Sequence, residues 1–206
     1  MPNKEKIKQI CDEKFENHVA QLVQITDRFT IIDWRNKDGS SINYINFVVD
    51  KQRGSLIVSG DLGDSIATWF NPQTASKIKN FIKNDAGYYA SKFQTSSHKY
   101  YLDAEIVLEK IKSWIADDEK SQNEAIETYA ATKNYVDTDD FITHLNEQIE
   151  MSVINNEYFR PTEKLEDIVD DLCGDTYWLY EIQGDLHIMV YIWAEAFVRA
   201  CDQLGL

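Results

Sequence analysis

The sequence predicts an α+β protein: a small antiparallel β-meander flanked by helices, followed by an acidic helical region. Three observations carry this. β-branched and aromatic runs separated by glycine-bearing turns fill the first part of the chain, while from residue 103 onward the apolar spacing is helical almost throughout. The charge is also split. Up to Ile115 there are 16 Lys and Arg against 14 Asp and Glu, a net of +2, and from Ala116 there are 5 against 21, a net of −16.

In chain order, Ile7, Ile10, Phe15, Val19, Leu22 and Val23 recur at near-helical spacing and predict one amphipathic helix over residues 4–26. Strands are predicted over 29–34, 42–49 and 56–59. Lys37-Asp38-Gly39-Ser40 and Lys51-Gln52-Arg53-Gly54 lie between them, and glycine supplies the positive φ of a tight hairpin turn. A fourth strand over 65–70 follows Gly60-Asp61-Leu62-Gly63-Asp64 and ends at Asn71-Pro72, since proline cannot join a ladder. A helix over 73–83 comes next, then helices over 103–115, 121–132, 138–151, 162–173 and 185–204. The last of these is apolar around most of its circumference, through Ile188, Met189, Tyr191, Ile192, Trp193, Phe197 and Val198. That pattern is a core helix, and were its own chain to cover only half of it, a homodimer would bury the rest. The class change near 116 suggests a soft boundary between a sheet region, 1–115, and an acidic helical region, 116–206. Tryptophans on both sides are equally compatible with one compact unit.

With 206 residues, 43 % of them hydrophobic, the chain can bury a core as one domain or two small ones. Cys11, Cys173 and Cys201 are too few and too scattered for a disulfide framework, which implies a reducing, cytosolic setting. The N-terminal run Met1-Pro2-Asn3-Lys4 is not followed by the apolar stretch of a signal peptide, and the longest apolar stretch, 188–194, is far short of the roughly 20 residues that span a bilayer. Neither export nor a membrane anchor is expected.

The most explicit acidic element is the helix from Thr162. At 100° per residue Leu165, Ile168, Val169 and Leu172 fill one arc, while Glu163, Glu166, Asp167, Asp170 and Asp171 fill the opposite one. Only Lys164 and Arg160 lie nearby to neutralise them, and Asp137, Asp139 and Asp140, with Glu147 and Glu150, form a second acidic set on the preceding helix. Such a run is also what a solvated helix face looks like. As a binding surface it would meet a basic, nucleic-acid-handling protein and compete with phosphates, and direct binding of nucleic acid by this half is not expected.

Two further constellations bear on chemistry. Asp50, Asp61 and Asp64 near strand ends, with Lys51 or Lys92, are the candidate set for a magnesium-dependent nuclease; ordinary Asp-bearing turns have the same pattern. Cys173, Asp175, His187 and Cys201 are the candidate zinc ligands if the last two helices pack antiparallel, although no Cys-x-x-Cys or His-x-x-x-His pair accompanies them. Cys201 reads equally as a small core residue, Cys11 and His18 form a weaker pair, and His98 and His144 are expected on the surface.

The stretches Asp33-Trp34-Arg35-Asn36-Lys37-Asp38-Gly39-Ser40, Ser59-Gly60-Asp61-Leu62-Gly63, Ala67-Thr68-Trp69-Phe70-Asn71 and Lys92-Phe93-Gln94 resemble a family of uncharacterised proteins from phages and prophages of low-GC Gram-positive bacteria, over residues 28–110. Relatives often carry Cys where this chain has Thr95. The resemblance brings no activity with it. It implies a phage product acting in the host cytoplasm, where small acidic proteins are often inhibitors of host defence. An anti-CRISPR protein against a type II RNA-guided nuclease fits best, because such nucleases hold nucleic acid in basic channels. The sequence is thus read as a non-enzymatic, protein-binding inhibitor; the alternatives are the metal-dependent nuclease and a small acidic phage regulatory or structural module.

Overall fold

The computed structural model describes residues 4–156 and 158–206. Met1–Asn3, which head the terminus expected to lack a leader, lie outside them. The chain forms two compact units, Met1–Lys99 with Leu186–Leu206, and Tyr100–Asp185.

The first unit begins with α1, Lys4–Lys14, which buries Ile7 and Cys11 one turn apart and ends in a turn that buries Phe15. The helix expected to continue to residue 26 does not do so. His18–Ile25 is instead β1, paired antiparallel with β2, Phe29–Asn36. Val19 and Val23 fit a helix face and a strand face alike, and cross-strand pairs such as Ala20 with Trp34 and Leu22 with Ile32 decide for the sheet. The connecting turn is held by the Thr26 hydroxyl, which accepts the Phe29 N–H at 2.8 Å.

Alternation then works as expected. β2 buries Thr30, Ile32 and Trp34; β3, Ile45–Asp50, buries Ile45, Phe47 and Val49; β4, Ser55–Gly60, buries Leu56 and Val58. β5, Ser65–Thr68, continues the meander, and β6, Phe93–Ser96, completes a six-stranded antiparallel sheet in the order β1-β2-β3-β4-β5-β6. Between β5 and β6 the chain inserts α2, Ala75–Asn84, capped by Thr74, and α3, Ala86–Ser91, capped by Asp85.

The terminal helix α8, Ile188–Leu204, packs against α1, α2, α3, β1 and β2. Trp193 and Phe197 are fully buried, Phe197 sits edge-on to Phe47 at 5.2 Å, and the Trp193 indole donates to the Leu62 carbonyl at 3.1 Å. It is a core helix, and it belongs with the sheet, not with the acidic helices that precede it in sequence.

The β3–β4 turn shows how tightly the rim is built. Gly54 has φ of +63°, and a Cβ there would lie 2.1 Å from the Asn71 carbonyl oxygen. Gly54→Ala combines a left-handed backbone penalty with a clash against main chain, so it should cost about 2 kcal/mol or more. A lowered urea midpoint at unchanged slope measures this.

The second unit is helical: α4, Ala104–Ile115; α5, Glu119–Thr132; α6, Thr138–Ser152; α7, Glu163–Cys173. Asp103, Asp118, Asp137 and Thr162 cap them, each accepting the backbone N–H three residues on at 2.8–3.1 Å. Their inner faces meet in a second core containing Val107, Ile111, Ile126, Phe141, Leu145, Ile149, Leu165 and Val169. The expected boundary at 115/116 therefore falls inside this unit, between α4 and α5, because Val107 and Ile111 of α4 are buried in the same cluster.

Candidate functional site

The charge asymmetry follows the units. Tyr100–Asp185 carries 22 Asp and Glu against 6 Lys and Arg, a net of −16, and the sheet unit carries +2. A self-repelling unit of that charge folds because its helices are capped and their apolar faces are buried, and it projects a field of one sign.

Within it, α7 is the most strongly acidic face. Thr162 starts the helix and Gly174, at φ of +71°, ends it, its N–H donating to the Asp170 carbonyl at 2.7 Å. Leu165, Ile168 and Val169 are buried; Glu163, Asp167, Asp170 and Asp171 are exposed and Glu166 is half-buried. The five acids are not equivalent. Asp171 pairs with Lys133, which caps the end of α5, at 2.5 Å and accepts from the Tyr129 hydroxyl at 3.4 Å, and Glu166 accepts from the Tyr180 hydroxyl. The Lys133 ammonium holds the Asp171 carboxyl below the usual carboxylate range, and burial, then Asp171, pushes the Tyr129 phenol up to about 12. Among the described residues, the carboxylates of Glu163, Asp167 and Asp170 have no ion-pair or hydrogen-bond partner. Four and three residues apart, they lie about 6 Å and about 4.5 Å apart along the axis, of the order of the 3.4 Å per phosphate along one strand of a duplex.

On α6, Asp137 is the cap and Asp140 accepts the Val136 N–H at 3.2 Å, so both hold the helix start, whereas Asp139 is exposed with its carboxylate unengaged. Structural roles thus account for four of the eight predicted contact residues, Glu166, Asp171, Asp137 and Asp140. Glu163, Asp167, Asp170 and Asp139 project freely.

The nuclease candidates do not converge. Ile45 pairs with Gly60 and Asp50 with Ser55, so Asp50 and the Asp61–Asp64 loop sit at opposite ends of β4, roughly 17 Å apart along the strand. Asp50 is also fully engaged: Arg28 donates to Oδ2 at 2.8 Å, and the Gln52 and Arg53 N–H groups to Oδ1 at 3.1 Å each. Asp61 accepts the Asn43 N–H at 2.9 Å. Both carboxylates hold turns. Arg28, together with those backbone donors, lowers the Asp50 pKa in the folded state. A depressed carboxylate stabilises above its unfolded pKa and loses that contribution as pH falls through the folded value. Asp50→Asn should therefore lower the melting temperature at pH 7, and the gap to wild type should narrow progressively as pH falls below the ordinary carboxylate value of about 3.9, as pH-dependent melting would record.

The zinc set is likewise dispersed. Cys173 and Asp175 lie in the helical unit, while His187 and Cys201 stand at opposite ends of α8, about 21 Å apart along its axis. His187 caps α8 through Nδ1, which accepts the Met189 N–H at 3.1 Å, and Asp175 accepts the Tyr177 N–H at 2.9 Å. Burial pushes the Cys201 thiol up to about 12 and that of Cys173 to about 11, the protonated form that binds metal poorly. Among the described residues no three His, Cys, Asp or Glu side chains are placed to hold a metal. Cys11 is core, and His18 packs between Phe15 and Trp34. His98, expected on the surface, stacks on His187 at 4.9 Å. No helix among the described residues is long and apolar enough to cross a membrane.

One feature of the helical unit was not singled out from the sequence. The 3₁₀ turn Tyr177–Glu181 buries Trp178 and Leu179 and exposes Tyr177 and Tyr180, with Trp114 lying flat on Trp178 at 4.9 Å and 6°. The run Tyr177-Trp178-Leu179-Tyr180 just after a helix-ending glycine was the available signal.

The model of a phage family matches residues 23–204, extending through both units and well beyond the stretch on which the resemblance rests. No curated protein and no solved structure matches.

Proposed function

From the premise that the chain belongs to this phage family, we propose that it is a phage-encoded inhibitor of a host defence nuclease, acting by binding and not by catalysis. Its partner is a basic, nucleic-acid-handling host protein in the cytoplasm, a type II RNA-guided effector, whose channel it occupies in place of nucleic acid. The observation that carries this reading is the row of free carboxylates at Glu163, Asp167 and Asp170, with Asp139 on α6, in a unit of net −16. A face that served solubility alone would need the charge but not its fixed placement on two capped, rigid helices. Competition with phosphates gains both field and positional definition.

The test is a cleavage assay. A guide-loaded type II nuclease preincubated with the chain should lose cleavage of its target near stoichiometric inhibitor. Unchanged cleavage in saturating excess of the chain would reject the proposal in favour of a regulatory or structural role.

A further inference from the structure

The structure assigns a second recognition element to the helical unit: an aromatic ridge formed by Tyr177, Tyr180 and Trp114 that takes arginine guanidinium groups of a basic protein partner. This rests on the reading of the unit as a surface for a basic protein, and it names the chemistry by which one basic partner is distinguished from another.

The ridge is built, not incidental. A 3₁₀ helix has three residues per turn, so Tyr177 and Tyr180 stand one above the other on the same side of the turn, 78 % and 61 % exposed, while Trp178 and Leu179 point inward. Asp175 fixes the turn twice: its carboxylate accepts the Tyr177 N–H at 2.9 Å and its carbonyl accepts the Trp178 indole N–H at 3.0 Å. Trp178 in turn supports Trp114, 56 % exposed, in a parallel stack. The Tyr180 hydroxyl donates to Glu166 of α7, which joins the ridge to the acidic face. Trp114 is held by its stack and Tyr180 by its bond to Glu166, while the Tyr177 backbone is pinned by Asp175, so the rings lose little entropy on binding, the property that makes aromatic residues effective contact groups.

Exposed rings alone would suit an apolar partner. The charge decides otherwise, since the unit's net −16 places these rings in a strongly negative field that draws cations to them. Guanidinium is the cation that fits: it is planar, weakly hydrated and stacks on aromatic faces, while its fork bonds a neighbouring exposed carboxylate such as Glu181. Lysine ammonium would meet the same field but gain less from the rings.

Titration calorimetry of the full chain with deca-arginine and deca-lysine peptides at low salt tests this. Wild type should bind deca-arginine at least about tenfold more tightly than deca-lysine. Tyr177→Leu/Tyr180→Leu should bring the two within about twofold, and Tyr177→Phe/Tyr180→Phe should keep most of the preference, because the rings remain. Should the double leucine variant melt early, Tyr177→Leu alone, at a side chain that is largely solvent-exposed, should still cost about threefold toward deca-arginine only. Equal binding of both peptides by wild type, or a preference that survives in the leucine variants, overturns the ridge while leaving the charge-based reading standing. Failure of both peptides to bind overturns both. A wild-type dimer in sedimentation that the leucine variant abolishes would give the ridge to a second copy and also overturn the proposal.

Discussion

Replacing Glu163, Asp167 and Asp170 together by Lys should weaken binding to a basic nucleic-acid-handling partner by about a thousandfold, near 4 kcal/mol, while the protein stays folded. Each of the three is exposed, and among the described residues none has an ion-pair or hydrogen-bond partner. Reversal moves the unit from −16 toward neutrality by six charges and puts cations where the partner's own cations would sit. The cost to folding is small, because Leu165, Ile168 and Val169 hold α7 in place from the opposite face. Only Glu163 lies in the first turn, where a positive charge opposes the helix dipole by up to about 1 kcal/mol. Neutralising Glu166 and Asp171 instead should give a different signature, a loss of stability with little loss of affinity, since these two are engaged with Tyr180 and with Lys133 and Tyr129. Affinity measured in parallel with thermal melts for the two variant sets separates the roles.

Trp193→Ala should be the most damaging single substitution in the sheet unit, costing about 3–5 kcal/mol. Its indole is fully buried, contacts the rings of Phe93 at 6.2 Å and His98 at 6.3 Å, and donates its N–H to the Leu62 carbonyl at 3.1 Å. Truncation leaves a cavity and takes the indole donor from the Leu62 carbonyl. Against a typical total of 5–15 kcal/mol this is a large fraction of the stability, and loss of the near-ultraviolet circular dichroism signal at a markedly lower denaturant concentration should report it.

Much of this architecture could be read from residue order alone, and the parts that could not share a cause. The meander from β2 to β4 and the helices α2 and α4 to α7 announce themselves through local period, glycine turns and capping residues. β1 reads as helix because Val19, Leu22 and Val23 follow helical spacing, whereas on a strand only Val19 and Val23 share a face, and the pairing with β2, a tertiary fact, decides against the local period. β6 is a four-residue strand, Phe93–Ser96, separated from its partner β5 by two helices, so no local signal marks it. The terminal helix reads as core, but its place in the sequence groups it with the acidic region, whereas the chain returns to the sheet. The net charge of −16 survives this regrouping. The segment gained, Asp103, Glu105 and Glu109 with Lys110 and Lys112, and the segment lost, Glu195 and Asp202 with Arg199, each carry −1. In the candidate site, the acidic arc of α7 followed from helical geometry. The pairing of Asp171 with Lys133 and of Glu166 with Tyr180 did not, since it joins separate elements.

The central claim is that the helical unit takes the place of nucleic acid on a basic partner. Fluorescence anisotropy of labelled target DNA on a guide-loaded type II effector, titrated with the chain at low and at physiological salt, tests it most directly. The account predicts displacement of the DNA to completion, at chain concentrations that rise steeply with salt, and none with the Glu163, Asp167 and Asp170 reversal. DNA that stays bound at saturating wild-type chain at low salt would contradict it.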